Sequence, residues 1–162
     1  MIIVSDTSPI SSLFLINQLE LLPAVFGRII IPQTVMAELC VLETDFGHDL
    51  SALLLAPWLE IRKATDVNEV NRFKQFLDAG ESEAIVLAKE LHAEYLLIDD
   101  KQGRNAADHE GLTTIGVLGV FLLAKKAGKV NFVQPLMDDL RAKAKFFIKE
   151  DLYERVLKSA GE

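Results

Sequence analysis

The chain has 162 residues, half of them hydrophobic and a quarter charged, with a formal net charge of −7 at pH 7. That length suits one domain with its own core, and the acidic balance argues against a general nucleic-acid coat protein. The longest nearly uninterrupted apolar stretch, residues 115–124, is too short to span a bilayer, and the start at Met1 has no basic leader region.

In chain order, residues 2–5 read as a first strand that ends at Asp6. Ser8 and Pro9 supply an N-cap and an N1 proline for a helix to about residue 22. A second short strand is expected at 28–31, and Pro32 opens a helix to about 41. A helical stretch near 49–55 and an edge strand at 58–63 follow. Residues 66–79 are helical in pattern, and a further helix starts at Glu81, just past Gly80, and runs to about 92. The strand at 95–98 leads into Asp99 and Asp100, then a short helix around 101–110 and a last strand at 113–117. Helices near 118–127, 132–145 and 149–158 complete the chain. Strands alternating with helices, with few hairpin signals, predict an α/β fold: a three-layer α/β/α sandwich around a central parallel sheet. The expected organisation is one domain over 1–162, with a helical C-terminal extension from about 130. The single Cys40 cannot form an internal disulfide, which agrees with a reducing cytoplasm, and reads as a small helix-borne hydrophobe.

Two acids stand where short aliphatic runs end, Asp6 after the first strand and Asp99 after the fourth. In open α/β sheets ligands bind outside the carboxyl ends of the strands, so these acids are expected at one crevice. Asp6 is free to point there because Ser8 is the better cap. Glu38 has Thr34, Val35, Val41 and Leu42 as helical neighbours and no Lys or Arg within reach, so its counter-charge is expected to be a ligand. In the run from Asp78 to Ala88, Glu81 shares a stripe with Ala84, Ile85 and Ala88, whereas Glu83 lies nearer the polar face and is a reserve candidate. Successive side chains diverge at a strand end, so Asp99 is expected in the site and Asp100 in an outer role. Carboxylates ~5 Å apart repel by ~3 kcal/mol per pair at an effective dielectric of about 20. Four such groups call for a cation or raised pKa values. An oxygen-only set suits Mg²⁺ or Mn²⁺ and not Zn²⁺. His48, His92 and His109 show no metal-ligand spacing.

Charge is unevenly spread. Residues 1–61 contain one basic residue, Arg28, against seven acids, while residues 121–149 carry Lys125, Lys126, Lys129, Arg141, Lys143, Lys145 and Lys149 against Asp138 and Asp139. An acidic pole could seat a cation and a basic flank could seat phosphates. The plainer reading makes these lysines the solvated face of two helices.

The segments Val4–Pro9, Ile31–Leu39, Gly80–Ala88 and Leu97–Arg104, in that order, resemble those of PIN-domain proteins, the nuclease fold of VapC-type toxins. The resemblance is to a compact PIN-like branch and covers most of residues 1–128. It implies that Asp6, Glu38, Glu81 and Asp99 are catalytic and hold Mg²⁺ or Mn²⁺, with Ser8 as a supporting hydroxyl. Glutamate at Glu81 departs from the family's usual aspartate. The implied activity is hydrolysis of single-stranded or looped RNA, guided by Arg104, Lys125 and Lys126, in a cytoplasmic toxin with an antitoxin partner. The implied state is a homodimer for which the apolar 10–26 region is available. The alternative is a degenerate PIN-like module whose acidic crevice takes a basic protein partner. A phosphotransfer domain with an aspartyl nucleophile fits less well, because Ser8 stands where a second aspartate is needed.

Overall fold

The computed structural model describes residues 1–162. Its five strands are β1 (Ile3–Ser5), β2 (Ile29–Pro32), β3 (Leu59–Arg62), β4 (Tyr95–Leu97) and β5 (Thr114–Ile115). They form one sheet in the order β3-β2-β1-β4-β5, and every neighbouring pair is parallel. Val4 aligns with Ile30 on one side and Leu96 on the other, which fixes the register at the sheet centre.

Both faces are covered, which is why the central strands are aliphatic without alternation. Alternate residues still choose opposite sides. Ile3, Ile29, Ile31 and Leu97 join one buried cluster, and Val4, Ile30, Leu96 and Ile98 join the other. On the first face lie α1 (Thr7–Leu15), α2 (Leu21–Phe26), α3 (Gln33–Thr44) and α4 (Ser51–Leu54). On the second lie α5 (Val67–Phe73), α6 (Ala79–Glu90) and α7 (Lys101–His109). The first layer is completed by α8 (Val117–Lys126), α9 (Gln134–Lys143) and α10 (Glu150–Ser159). The α/β/α sandwich with a parallel centre is thus the observed fold.

Four boundaries differ from the sequence expectation in ways that bear on the site. The first helix stops at Leu15 because Asn17 enters the left-handed region (φ 58°), where the Asn17 and Gln18 N–H groups bond the Phe14 and Leu13 carbonyls. Its N-cap is Asp6 and not Ser8, which lies inside the first turn. The helix expected over 66–79 ends at Phe73, and α6 begins two residues before Glu81, because Asp78 and Glu81 form a reciprocal capping box.

The C-terminal helices pack on the same core as α1 and α8, through Leu136, Met137, Leu140, Ile148, Tyr153 and Val156. The Glu162 carboxylate ties this layer down by accepting the Val133 N–H at 2.7 Å, the Gln134 N–H at 3.1 Å and the Lys125 ammonium at 2.9 Å. In the 10–26 region Ile10, Leu13, Ile16, Leu21, Leu22 and Phe26 are buried within the chain, so monomer packing accounts for them. No helix is long and apolar enough to cross a membrane.

Candidate metal centre

The strand order reverses between β1 and β4, the place where open α/β sheets leave a crevice at their carboxyl ends. Asp6 leaves β1 there, its backbone N–H bonded to the Leu97 carbonyl of β4 at 2.9 Å. Although Asp6 stands at the N-cap of α1, its side chain closes no capping hydrogen bond, and Oδ1 is buried without a partner. Carboxylate oxygens of Asp6, Glu38 and Asp78 lie within 4.8 Å of one another. The ion pairs of the chain, such as Lys89 with Glu69 and Glu110, lie elsewhere, and none involves these three acids.

Each acid is held from a different element. Glu38, on the second turn of α3, accepts the Thr7 hydroxyl at Oε2 and the Gly80 N–H at 2.9 Å on Oε1. A Cβ at Gly80 would fall on the Glu38 carboxylate, so glycine there leaves room for that carboxylate to sit against the start of α6. Asp78 accepts the Glu81 N–H at 2.8 Å, and Glu81 accepts the Asp78 N–H at 3.3 Å. This box both starts α6 and aims Asp78 at the crevice.

The electrostatics record unrelieved negative charge. Burial pushes the Asp6 carboxyl up to about 8; the Thr7 backbone N–H pulls it down, while Asp78, Glu81 and Glu38 push it further up. Burial, then the charges of Asp78, Asp100 and Glu38, raise Glu81 to about 7. Glu81 is 8% exposed and so belongs to the same charged group, one step back from the three converging oxygens.

Asp99 is placed differently. It leaves β4 beside Asp6 but turns towards β5, where Oδ1 accepts the Val117 N–H at 2.9 Å and so caps α8. Its Oδ2 is buried without a partner. Burial raises its pKa to about 6, against the Val117 N–H and the Arg104 charge, which lower it. Asp99 and Arg104 line a cleft of ≈ 370 Å³ with Gly116, Phe146, Phe147 and Leu152. Asp100 caps α7 by accepting the Gly103 N–H at 2.9 Å.

The remaining sequence candidates separate from the cluster. Glu83 is 6% exposed and not on a polar face, because α6 is buried on all sides from Gly80 to Ala88. Its two oxygens accept the Thr34 and Ala64 N–H groups, both at 3.1 Å, which is an architectural role. Ser8 is half-buried, and the hydroxyl that reaches the acids is that of Thr7, one residue earlier. Lys125 is committed to Glu162, and Lys126 borders Met1, Phe26 and Tyr95, at the opposite edge of the sheet from the acids. That follows from α8 starting at the carboxyl end of β5 and running back along the sheet. Asp78 and Thr7 were missed by the sequence reading. The pattern Asp78-x-x-Glu81 before an apolar run was the signal for Asp78. For Thr7 no comparable signal existed.

Comparison with known proteins agrees with this geometry. A family model described as DUF3368, PIN domain, matches residues 2–162. A PilT N-terminus domain protein from the hyperthermophilic archaeon Sulfolobus solfataricus P2 superposes with a TM-score of 0.53 at 22% identity, covering 81% of this chain and 97% of that one. That likeness is one of fold. No curated protein matches the chain significantly in sequence.

Proposed function

The chain belongs to the PIN-domain family, and from that premise we propose that it is a divalent-metal-dependent endoribonuclease acting as a single PIN-like domain. PIN domains are generally nucleases. The observation that carries the reading is the convergence of Asp6, Glu38 and Asp78 with no cationic side chain to balance them. The donor set fits a hard cation such as Mg²⁺ or Mn²⁺: it is all oxygen, it includes the partnerless Asp6 Oδ1, and it has no His or Cys.

Asp6, Glu38 and Asp78 would hold the metal, with Glu81 and the free Oδ2 of Asp99 able to extend the set. When bound, the cation supplies charge neutralisation at a scissile phosphate and a more acidic water. The chain's own groups do the positioning. Thr7 and the Gly80 N–H fix Glu38, and the capping box fixes Asp78. Helix N-termini of α6 and α8 face the crevice and favour the negative charge gathered there. Arg104 lines the cleft beside Asp99 and would receive a phosphate of the substrate strand. Unpaired RNA is the substrate class that fits, since its backbone can enter an end-of-sheet cleft without a duplex around it.

The test is cleavage of a labelled single-stranded RNA with Mg²⁺ or Mn²⁺. Wild type should cut, excess EDTA should stop it, and Asp6→Asn should lower the rate at least ~100-fold, as loss of an essential charged group does. Cutting that persists in EDTA or in Asp6→Asn sinks the reading. Within it the chain is the toxin of a toxin–antitoxin pair. Its expression should then arrest growth, and the product of an adjacent gene should relieve the arrest; arrest unchanged by Asp6→Asn would dismiss the toxin role.

A further inference from the structure

Between α9 and α10 residues 145–149 belong to no helix or strand, and their side chains alternate between exposed and more buried. Ile148 is 4% exposed and Phe146 is half-buried, while Lys145, Phe147 and Lys149 are exposed, Phe147 at 81%. A phenylalanine left in water forgoes the stabilisation that burial of its ring would supply. The segment is held in place: the Arg141 guanidinium donates to the Ile148 carbonyl at 2.8 Å while stacking on Tyr153. Lys145 adopts a left-handed backbone (φ 50°) just past the end of α9, a position that glycine fills at lower cost.

Its charges are free. Arg141 is paired with Glu150 at 3.2 Å and Lys143 with Asp139 at 3.4 Å, whereas Lys145, Lys149 and Arg104 have no carboxylate at ion-pair distance. No acid occurs between residues 141 and 149 in a chain whose net charge is −7. The other exposed phenylalanines differ. Phe132 lies under the Lys125 ammonium, Phe76 packs on Phe73, and Phe46 follows Asp45 in an acidic stretch. Only Phe147 combines exposure with flanking unpaired cations, and it lines the cleft that Asp99 and Arg104 share.

We infer that Lys145, Phe147 and Lys149, with Arg104 across the cleft, form the platform that holds a single nucleic-acid strand: one unpaired base stacks on Phe147 and its phosphates lie against the three cations. This rests on the nuclease reading for its substrate, but the platform is separate from the acids. An aromatic face between unpaired cations is the arrangement by which proteins bind single strands without sequence preference.

Binding without cleavage separates the two claims. The full chain in EDTA is titrated into a fluorescein-labelled oligouridylate and followed by anisotropy. Phe147→Ala should weaken binding roughly 5- to 150-fold, Phe147→Trp should retain it, and Phe147→Leu should not, since stacking and not apolarity is required. Removing both Lys145 and Lys149 as alanines should reduce the slope of log affinity against log salt by about 1.4. Lys145→Gly should weaken binding while raising the melting temperature. Affinity unchanged in Phe147→Ala, or no binding by wild type, overturns the platform even where metal-dependent cleavage is intact. Strand binding that needs Phe147 in a chain that never cuts keeps the platform and removes the nuclease. A Phe147→Ala variant that changes self-association and leaves oligonucleotide affinity alone makes this face a protein interface, and the inference fails.

Discussion

At Asp6 two demands conflict. The end of β1 must be dry for the sheet to pack, yet the residue placed there is an acid whose Oδ1 has no partner. Burial raises its pKa to about 8 from the ordinary value of 3.8. In the metal-free protein the folded chain therefore keeps a proton that the unfolded chain has lost. The stability this supplies is fully present below pH ~4 and is lost as pH rises towards ~8. Two outcomes follow for thermal melts. In EDTA the melting temperature should fall between pH 5 and pH 8, and Asp6→Asn should lessen that fall, leaving the part due to the raised Glu81 and Asp99, and raise the value at pH 8 by a few degrees, roughly 1–2 kcal/mol. A metal-free protein whose stability rises across this range would contradict the geometry at Asp6. Gly80 belongs to the same scale. Gly80→Ala should displace the Glu38 carboxylate and lower metal affinity, with the fold retained, as read by calorimetry beside circular dichroism.

Among the elements, the helix starts build the site. The N-termini of α1, α6, α7 and α8 meet at the carboxyl edge of the sheet, and Asp6, Asp78, Asp100 and Asp99 stand at those starts. Strand-end acids were readable in the chain because Asp6 and Asp99 interrupt aliphatic runs, and Glu38 because no basic residue lies within a helical turn. Asp78 was hidden by its placement inside an apparent helical pattern over residues 66–79, although its capping box was there to be recognised. The direction of Asp99 was beyond reach, since whether a strand-end carboxylate faces β1 or caps α8 depends on how β5 and α8 pack. The lysines of α8 lie away from the acid cluster for a related reason: charge along the chain does not say which edge of a sheet a helix ends on. Glu83 shows how an acid in a functional-looking motif can be architectural. It bridges α3 and the loop after β3, so Glu83→Ala should cost about 2–4 kcal/mol in urea unfolding, having stranded the buried Ala64 N–H and the half-buried Thr34 N–H. A change of under about 0.5 kcal/mol would mean that those bonds are replaced by water.

For the molecule as a whole, the order β3-β2-β1-β4-β5 makes the nuclease reading coherent, because it puts the ends of β1 and β4 side by side where the chain reverses direction across the sheet. The parallel sandwich could be anticipated from alternating strands and helices. Short aliphatic strands with no polar alternation must be covered twice, and ten helices do so. What could not be anticipated is that the last two helices complete the layer over α1 and α8 and set Phe147, from the basic segment between them, in the cleft that Asp99 and Arg104 line. The claim on which all of this depends is that Asp6, Glu38 and Asp78 together chelate a hard divalent ion. Isothermal titration of the full chain with Mn²⁺ near neutral pH, repeated in buffers of different ionisation enthalpy, tests it most directly. The account predicts saturable binding with proton release in the wild type, abolished in Asp6→Asn and in Asp78→Asn. Absence of binding in the wild type, or binding that both variants retain, would contradict it.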